Sequence, residues 1–179
     1  MNIALIGYRG TGKTTVAEQL ATALGCDCVD SDAMIEQLAG KSIASIFVDE
    51  GEALFRDLEA RVVGELCQRS DVILSLGGGI VLRRENREVL ANVEHVVWLT
   101  ADVDTIHERV SSDEQSATQR PNLTIAGGRQ EIADVLAERS PVYRECATLQ
   151  VDTVDKSPSA VAREILAHLS PDSPSARDT

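Results

Sequence analysis

The stretch "IALIGYRGTGKTT", residues 3 to 15, constrains this chain more than any other. A short apolar run leads into Gly7, Gly10 and Gly12, then into "TTVAEQLATALG", where Val16, Leu20 and Leu24 share one helical face before Gly25 ends the helix. Strand, glycine loop and helix in that order gather backbone N–H groups and a helix N-terminus around an anion. The pattern G-x-x-x-x-G-K-T adds chemistry: the glycines let the backbone curl around phosphate oxygens, Lys13 reaches the β- and γ-phosphates, and Thr14 offers its hydroxyl to a magnesium ion. A bare glycine turn could share so short a pattern. The flanking strand and helix decide for a nucleotide-phosphate loop.

The rest of the chain repeats the rhythm. Apolar runs at "NIALIG", "CDCVD", "VILSLG", "HVVWLT" and "LQVDT" alternate with helical patterns, which predicts an α/β fold with a parallel five-stranded sheet and helices on both faces. The longest helices are expected at 51–69, 102–110, 129–147 and 157–169, with Pro141 starting a new helix or bending the old one. Residues 111–128, polar and closed by paired glycines, read as a mobile lid, and 171–179 as a disordered tail. At 179 residues the chain suits one domain, spanning 1–170.

A net charge of −12 with no run of Lys or Arg argues against a nucleic-acid partner, so any phosphate site must be a local concentration of cations. Cys26, Cys28, Cys67 and Cys146 lack the paired spacing of a metal site and read as buried thiols of a reducing compartment. With no leader pattern and no apolar run long enough for a bilayer, a soluble cytoplasmic protein is expected.

A metal beside the phosphates needs a carboxylate, and neither "VILSLGGG" nor "HVVWLT" ends in one. The second strand does: "CVDSDAMIE" sets Asp30 and Asp32 on one side of its carboxyl end, with Ser31 turned away. The plainer alternative is that one of them, Asp32 in particular, caps the helix that starts near Ala33. Gly77, Gly78 and Gly79 at the next strand end would let a ligand approach the backbone, or would simply form a tight turn. Arg56 shares a helix face with Ala53 and Ala60, with Glu59 placed to orient it. Arg120 precedes Pro121 in the lid, and Arg139 stands at the expected helix break; loop arginines often neutralise a transferring phosphoryl group.

Taken in order, these segments resemble the shikimate kinases, small P-loop kinases. The resemblance runs from Met1 to about residue 170. It rests on the glycine loop, "DSD", "SIASIFVDEGEALFRDLE", "LGGG", the "RP" of the lid and "ERSPVYRECA". It implies transfer of the ATP γ-phosphate to the 3-hydroxyl of shikimate, on the route to aromatic amino acids through chorismate. On this resemblance ATP is held by Gly10, Thr11, Gly12, Lys13, Thr14 and Thr15, with Arg109 against the adenine and Arg120 closing onto the phosphates. Thr14 and Asp30 would support Mg2+, Asp30 through water, and Lys13, Asp32 and Arg120 would form the catalytic set. Asp32 would also grip the ring hydroxyls. Arg56 and Arg139 would fork onto the substrate carboxylate beside the backbone of Gly78 and Gly79, and Phe47 and Phe55 would wall the ring. A monomer is the expected state.

Two segments depart from the family pattern: "RPNLT" where two apolar residues usually follow "RP", and "IVLRRENREVL" after the glycine triplet. Both touch the lid or its surroundings and leave the acceptor pocket intact. The rival readings are a kinase of another polyol acid such as gluconate, against which "FRDLE" and Arg139 speak, and a nucleotide-dependent switch. A guanine-reading N-K-x-D is missing, the nearest string being "TVDK" at 153–156.

Overall fold

The computed structural model describes residues 1–112 and 128–169. Five strands, β1 (Ile3–Ile6), β2 (Asp27–Asp30), β3 (Val72–Ser75), β4 (His95–Thr100) and β5 (Leu149–Asp152), pair in the order β2-β3-β1-β4-β5, every pair parallel. Among the described residues the helices are α1 (Lys13–Leu24), α2 (Ser31–Ala39), α3 (Ile43–Asp49), α4 (Gly51–Leu66), α5 (Arg84–Leu90), α6 (Val103–Ser112), α7 (Gly128–Cys146) and α8 (Pro158–Leu169). A short 3-10 turn, Ile80–Leu82, precedes α5.

Strand β1 lies at the centre of the sheet, which is why it reads as unbroken apolar sequence: both of its faces are covered. Successive side chains point to opposite faces. Ile3 and Leu5 enter a core shared with Val16, Leu20, Val161 and Ile165 of α1 and α8, whereas Ala4 and Ile6 enter the core on the other face with Ile35, Phe55, Val62 and Tyr143. Helix α1 stops at Gly25, whose φ of 67° is left-handed and whose N–H closes on the Ala21 carbonyl. Leu24 is not part of the buried face that its spacing suggested. It is 37% exposed, while Ala17 and Ala21 share the interior with Val16 and Leu20.

Other boundaries shift. The segment expected as one helix over 51–69 ends at Leu66, and a separate short helix, α3, precedes it, with the Ser42 hydroxyl accepting from the Ser45 N–H as its cap. Helix α7 runs through Pro141 without a break, so Pro141 starts no new helix and Arg139 does not stand at the helix break expected there. Tertiary packing outweighs the proline here, since Ile132, Val135, Arg139 and Tyr143 are all buried along one side of the helix. The lid expected over 111–128 overlaps helices at both ends, because 111 and 112 belong to α6 and Gly128 to α7. Its remaining residues 113–127, with Arg120 and the "RPNLT" departure, lie outside the described residues, as does the tail 171–179. Among the described residues no helix is long and apolar enough to cross a membrane.

Candidate active site

Sequence neighbours β1 and β2 are separated in the sheet by β3, and ligands of open α/β sheets bind beyond strand ends at such points of crossing. The glycine loop leaves β1 here. Gly7 has a φ of 138° and its Cα faces the Leu99 carbonyl so closely that a Cβ would collide with it, so only glycine fits. Lys13 Nζ donates to the carbonyls of Gly7 and Tyr8, each at 2.9 Å, and arches over the loop from the first turn of α1. Thr11 is buried, with its hydroxyl donating to the Tyr8 carbonyl at 2.8 Å, while Thr14 and Thr15 face outward. Among the described residues, α1 has no side-chain cap and no acidic residue in its first turn. Its N-terminal amides and dipole therefore favour an external anion.

The carboxylates are placed by a helix rather than by strand alternation. Asp30 is the last residue of β2 and the cap of α2: its Oδ1 accepts the N–H groups of Asp32 at 2.9 Å and Ala33 at 3.3 Å. The capping role offered to Asp32 thus belongs to Asp30, and Asp32 stands half-buried in the first turn. Ser31 between them is wholly buried, its hydroxyl accepting from the Gly77 N–H at 2.9 Å.

Asp30 uses its other oxygen differently. Oδ2 accepts from Thr14 Oγ1 and from Ser75 Oγ, both at 2.9 Å, and those hydroxyls are 3.2 Å apart. Three hard oxygens from α1, β2 and β3 meet at the mouth of the glycine loop. The parallel register pairs Asp30 with Ser75 on one side of β3 and Leu5 with Ser75 on the other. Sequence reading passed over Ser75 because it looked for a carboxylate at that strand end. The signal that finds it is its place in the register beside Asp30, which depends on strand order. Among the described residues no group of three or more His, Cys, Asp or Glu could hold a metal. One carboxylate with two hydroxyls instead suits a cation that keeps waters and shares phosphate oxygens.

The acceptor side is built from α4, α7 and the glycine turn after β3. Arg56 is 11% exposed, and its Nη1 meets Glu59 Oε2 at 2.8 Å while Nε and Nη2 meet Glu52 Oε1 at 3.1 and 2.9 Å. Burial opposes its charge, yet the carboxylates of Glu59 and Glu52 outweigh that and hold its pKa above the ordinary arginine value. Ala53, expected beside Arg56 on a common face, is exposed; the buried neighbours are Phe55 and Glu59. The guanidinium lies on Gly79, where any Cβ would strike it. Arg139, on α7, donates from Nη1 to the Gly78 carbonyl at 3.3 Å, joined there by the Tyr143 hydroxyl, and its buried Nε has no hydrogen-bond partner among the described residues. No hydrogen bond among the described residues uses the amides of Gly78 and Gly79. Phe47 and Phe55 pack together at 4.7 Å between ring centres, with the Arg56 guanidinium 5.2 Å from the Phe55 ring. Phe55 is 1% exposed, so Phe47 carries the accessible part of that wall.

Arg109, on α6, bridges the glycine loop and the turn after β5, donating to the Gly10 carbonyl at 3.3 Å and to Thr153 Oγ1 and its carbonyl at 2.9 and 2.8 Å. The four cysteines are free and half-buried rather than buried; burial pushes the thiols of Cys28 and Cys67 up to about 11, away from reactivity.

A family model described as "Shikimate kinase" matches residues 9–170. A shikimate kinase of Rhodopirellula baltica is 41% identical over 92% of this chain and 88% of its own length. The solved structure of shikimate kinase from Acinetobacter baumannii in complex with shikimate aligns with a TM-score of 0.87 and 38% identity, covering 93% of this chain and 91% of that one. A gluconokinase from Sinorhizobium meliloti aligns over 93% of this chain and 89% of its own with a TM-score of 0.60 and 21% identity, a likeness of fold alone. The glycine loop with its open helix end, Arg56 and Arg139 beside the glycine turn and the extent of these matches lead to one assignment: the chain belongs to the shikimate kinase family.

Proposed function

We propose that this chain transfers the γ-phosphate of ATP to the 3-hydroxyl of shikimate, with Mg2+ as cofactor. The observation that carries the reading is the convergence of Arg56 and Arg139 on the adjacent Gly79 and Gly78. Two guanidiniums beside backbone amides that make no hydrogen bond among the described residues suit a compact carboxylate, and Phe47 gives the ring an apolar wall. That the Acinetobacter baumannii relative is solved with shikimate supports the same acceptor.

In this reading the amides of Gly10 to Thr15 and Lys13 hold the phosphates, and Arg109 borders the adenine side. Thr14 and Asp30 would hold the magnesium ion, Asp30 through water, with Ser75 orienting Asp30. When bound, the metal would supply positive charge to offset that developing on the phosphates during transfer. Asp32 takes the proton of the 3-hydroxyl as that oxygen bonds to the γ-phosphorus; the bond to the β-phosphate oxygen breaks and ADP leaves. Arg120 joins Lys13 in neutralising the transferring group. The enzyme works as a cytoplasmic monomer.

Coupled ADP release with magnesium and ATP, comparing shikimate, gluconate and no acceptor, tests this. Turnover only with shikimate is the expected result. Turnover with gluconate alone would mean that Arg56 and Arg139 are misassigned, and a slow acceptor-independent rate would make the protein a nucleotide switch.

A further inference from the structure

Glu131 has no part in the site just described, yet it is a wholly buried carboxylate in α7. Its Oε1 lies 3.3 Å from Nη2 of Arg9, a residue of the glycine loop whose side chain is 19% exposed. Their chain neighbours Tyr8 and Ile132 belong to one buried apolar cluster with Ile106 and Val135, and the Arg9 guanidinium lies 5.8 Å from the Tyr8 ring centre. Burying such a pair costs both charges their hydration, and apolar residues of similar volume often stabilise a fold as well or better. Stability alone therefore accounts poorly for it.

The same helix holds the other side of the site. Arg139 and Tyr143, about 12 and about 18 Å further along α7 from Glu131 at 1.5 Å per residue, both bond the Gly78 carbonyl. The loops themselves touch: a Cβ on Gly78 would lie 3.1 Å from the Gly7 carbonyl and 3.6 Å from the Arg9 amide. One helix thus splints the phosphate loop through Arg9 and the acceptor turn through Gly78.

Resting on the shikimate kinase reading, we propose that Glu131 is a positioning residue that fixes the phosphate loop, through Arg9, in register with the acceptor turn. Loss of the pair leaves each substrate its own contacts but lets donor and acceptor drift relative to one another. Transfer depends steeply on that alignment, so kcat suffers more than either KM.

The test is steady-state kinetics and thermal melting of the full chain as wild type, Glu131→Gln, Arg9→Met and the double variant. Each single change is expected to lower kcat roughly tenfold or more with both KM values within about threefold, and the double variant to fall no further than either single. Should Glu131→Gln fail to fold because Arg9 keeps a half-buried charge, the double variant removes both charges and carries the test. A lowered Tm with wild-type kcat would make the pair structural only and overturn the inference, as would additive losses in the double variant. A wild type inert toward shikimate would overturn the proposed function, and with it this inference; an active wild type with equally active variants overturns the inference alone.

Discussion

Two helices start at the same edge of the sheet and begin in opposite ways. Helix α1 follows Gly12 with no side-chain cap and no acid in its first turn, among the described residues, whereas α2 is capped by Asp30 and carries Asp32 in its first turn. A helix N-terminus attracts negative charge. At α1 that preference is left for a ligand to satisfy; at α2 the chain satisfies it with its own carboxylates. The result is an anion site beside an acidic one, joined by a single hydrogen bond, since Thr14 of α1 donates to the capping Asp30. Nucleotide phosphate, metal and a hydroxyl to be deprotonated need that pairing.

The contrast can be broken from either side. The largest effect is expected at Asp32→Ala, which removes the carboxylate that capping does not use. Its kcat should fall roughly a hundredfold or more while ATP binding by calorimetry and the melting temperature stay near wild type. Unchanged kcat would remove Asp32 from the chemistry. Arg139→Ala should come next, raising the KM for shikimate by about one to two orders of magnitude, because a buried forked donor is lost; a shift confined to the ATP KM would refute its assignment. Gly79→Ala pushes a Cβ into the Arg56 guanidinium and should raise the same KM by about tenfold, with little change for ATP.

Asp30→Asn sharpens the comparison further. Asparagine caps as well as aspartate, so stability should hold within about 0.5 kcal/mol, while the magnesium concentration for half-maximal rate should rise severalfold. A stability loss with an unaltered magnesium response would reduce Asp30 to a cap. The smallest effect belongs to Thr15→Asp, which gives α1 the acidic first turn it lacks. Melting without nucleotide should then report a gain of about 0.3–1 kcal/mol, offset by weaker ATP binding. Tighter ATP binding would contradict the idea that this helix end is reserved for an anion.

Much of the donor side was legible because its parts are contiguous. Strand, loop, Lys13, Thr14 and the Gly25 stop fall within one span of sequence, and local backbone geometry forms them wherever that span folds. Asp30 and Asp32 were found for the right neighbourhood but by the wrong geometry, since a two-residue strand alternation and the first turn of a helix both separate them by one position. The placement of Arg139 at a helix break failed for a related reason: proline weakens a helix locally, and the buried side of α7 overrides it.

What the amino-acid sequence determined by itself is the alternation of strands and helices, the phosphate loop and the identities of the charged groups, because periodicity and glycine spacing act over a few residues. Tertiary structure alone decided that β3 lies between β1 and β2, and hence that Ser75 meets Asp30 and Thr14. It also decided that Arg56, Arg139 and Tyr143 reach one glycine turn and that Glu131 reaches Arg9. Those contacts join residues far apart in the chain. Strand order and helix packing bring them together, and both are set by burying the two faces of the sheet rather than by any local signal.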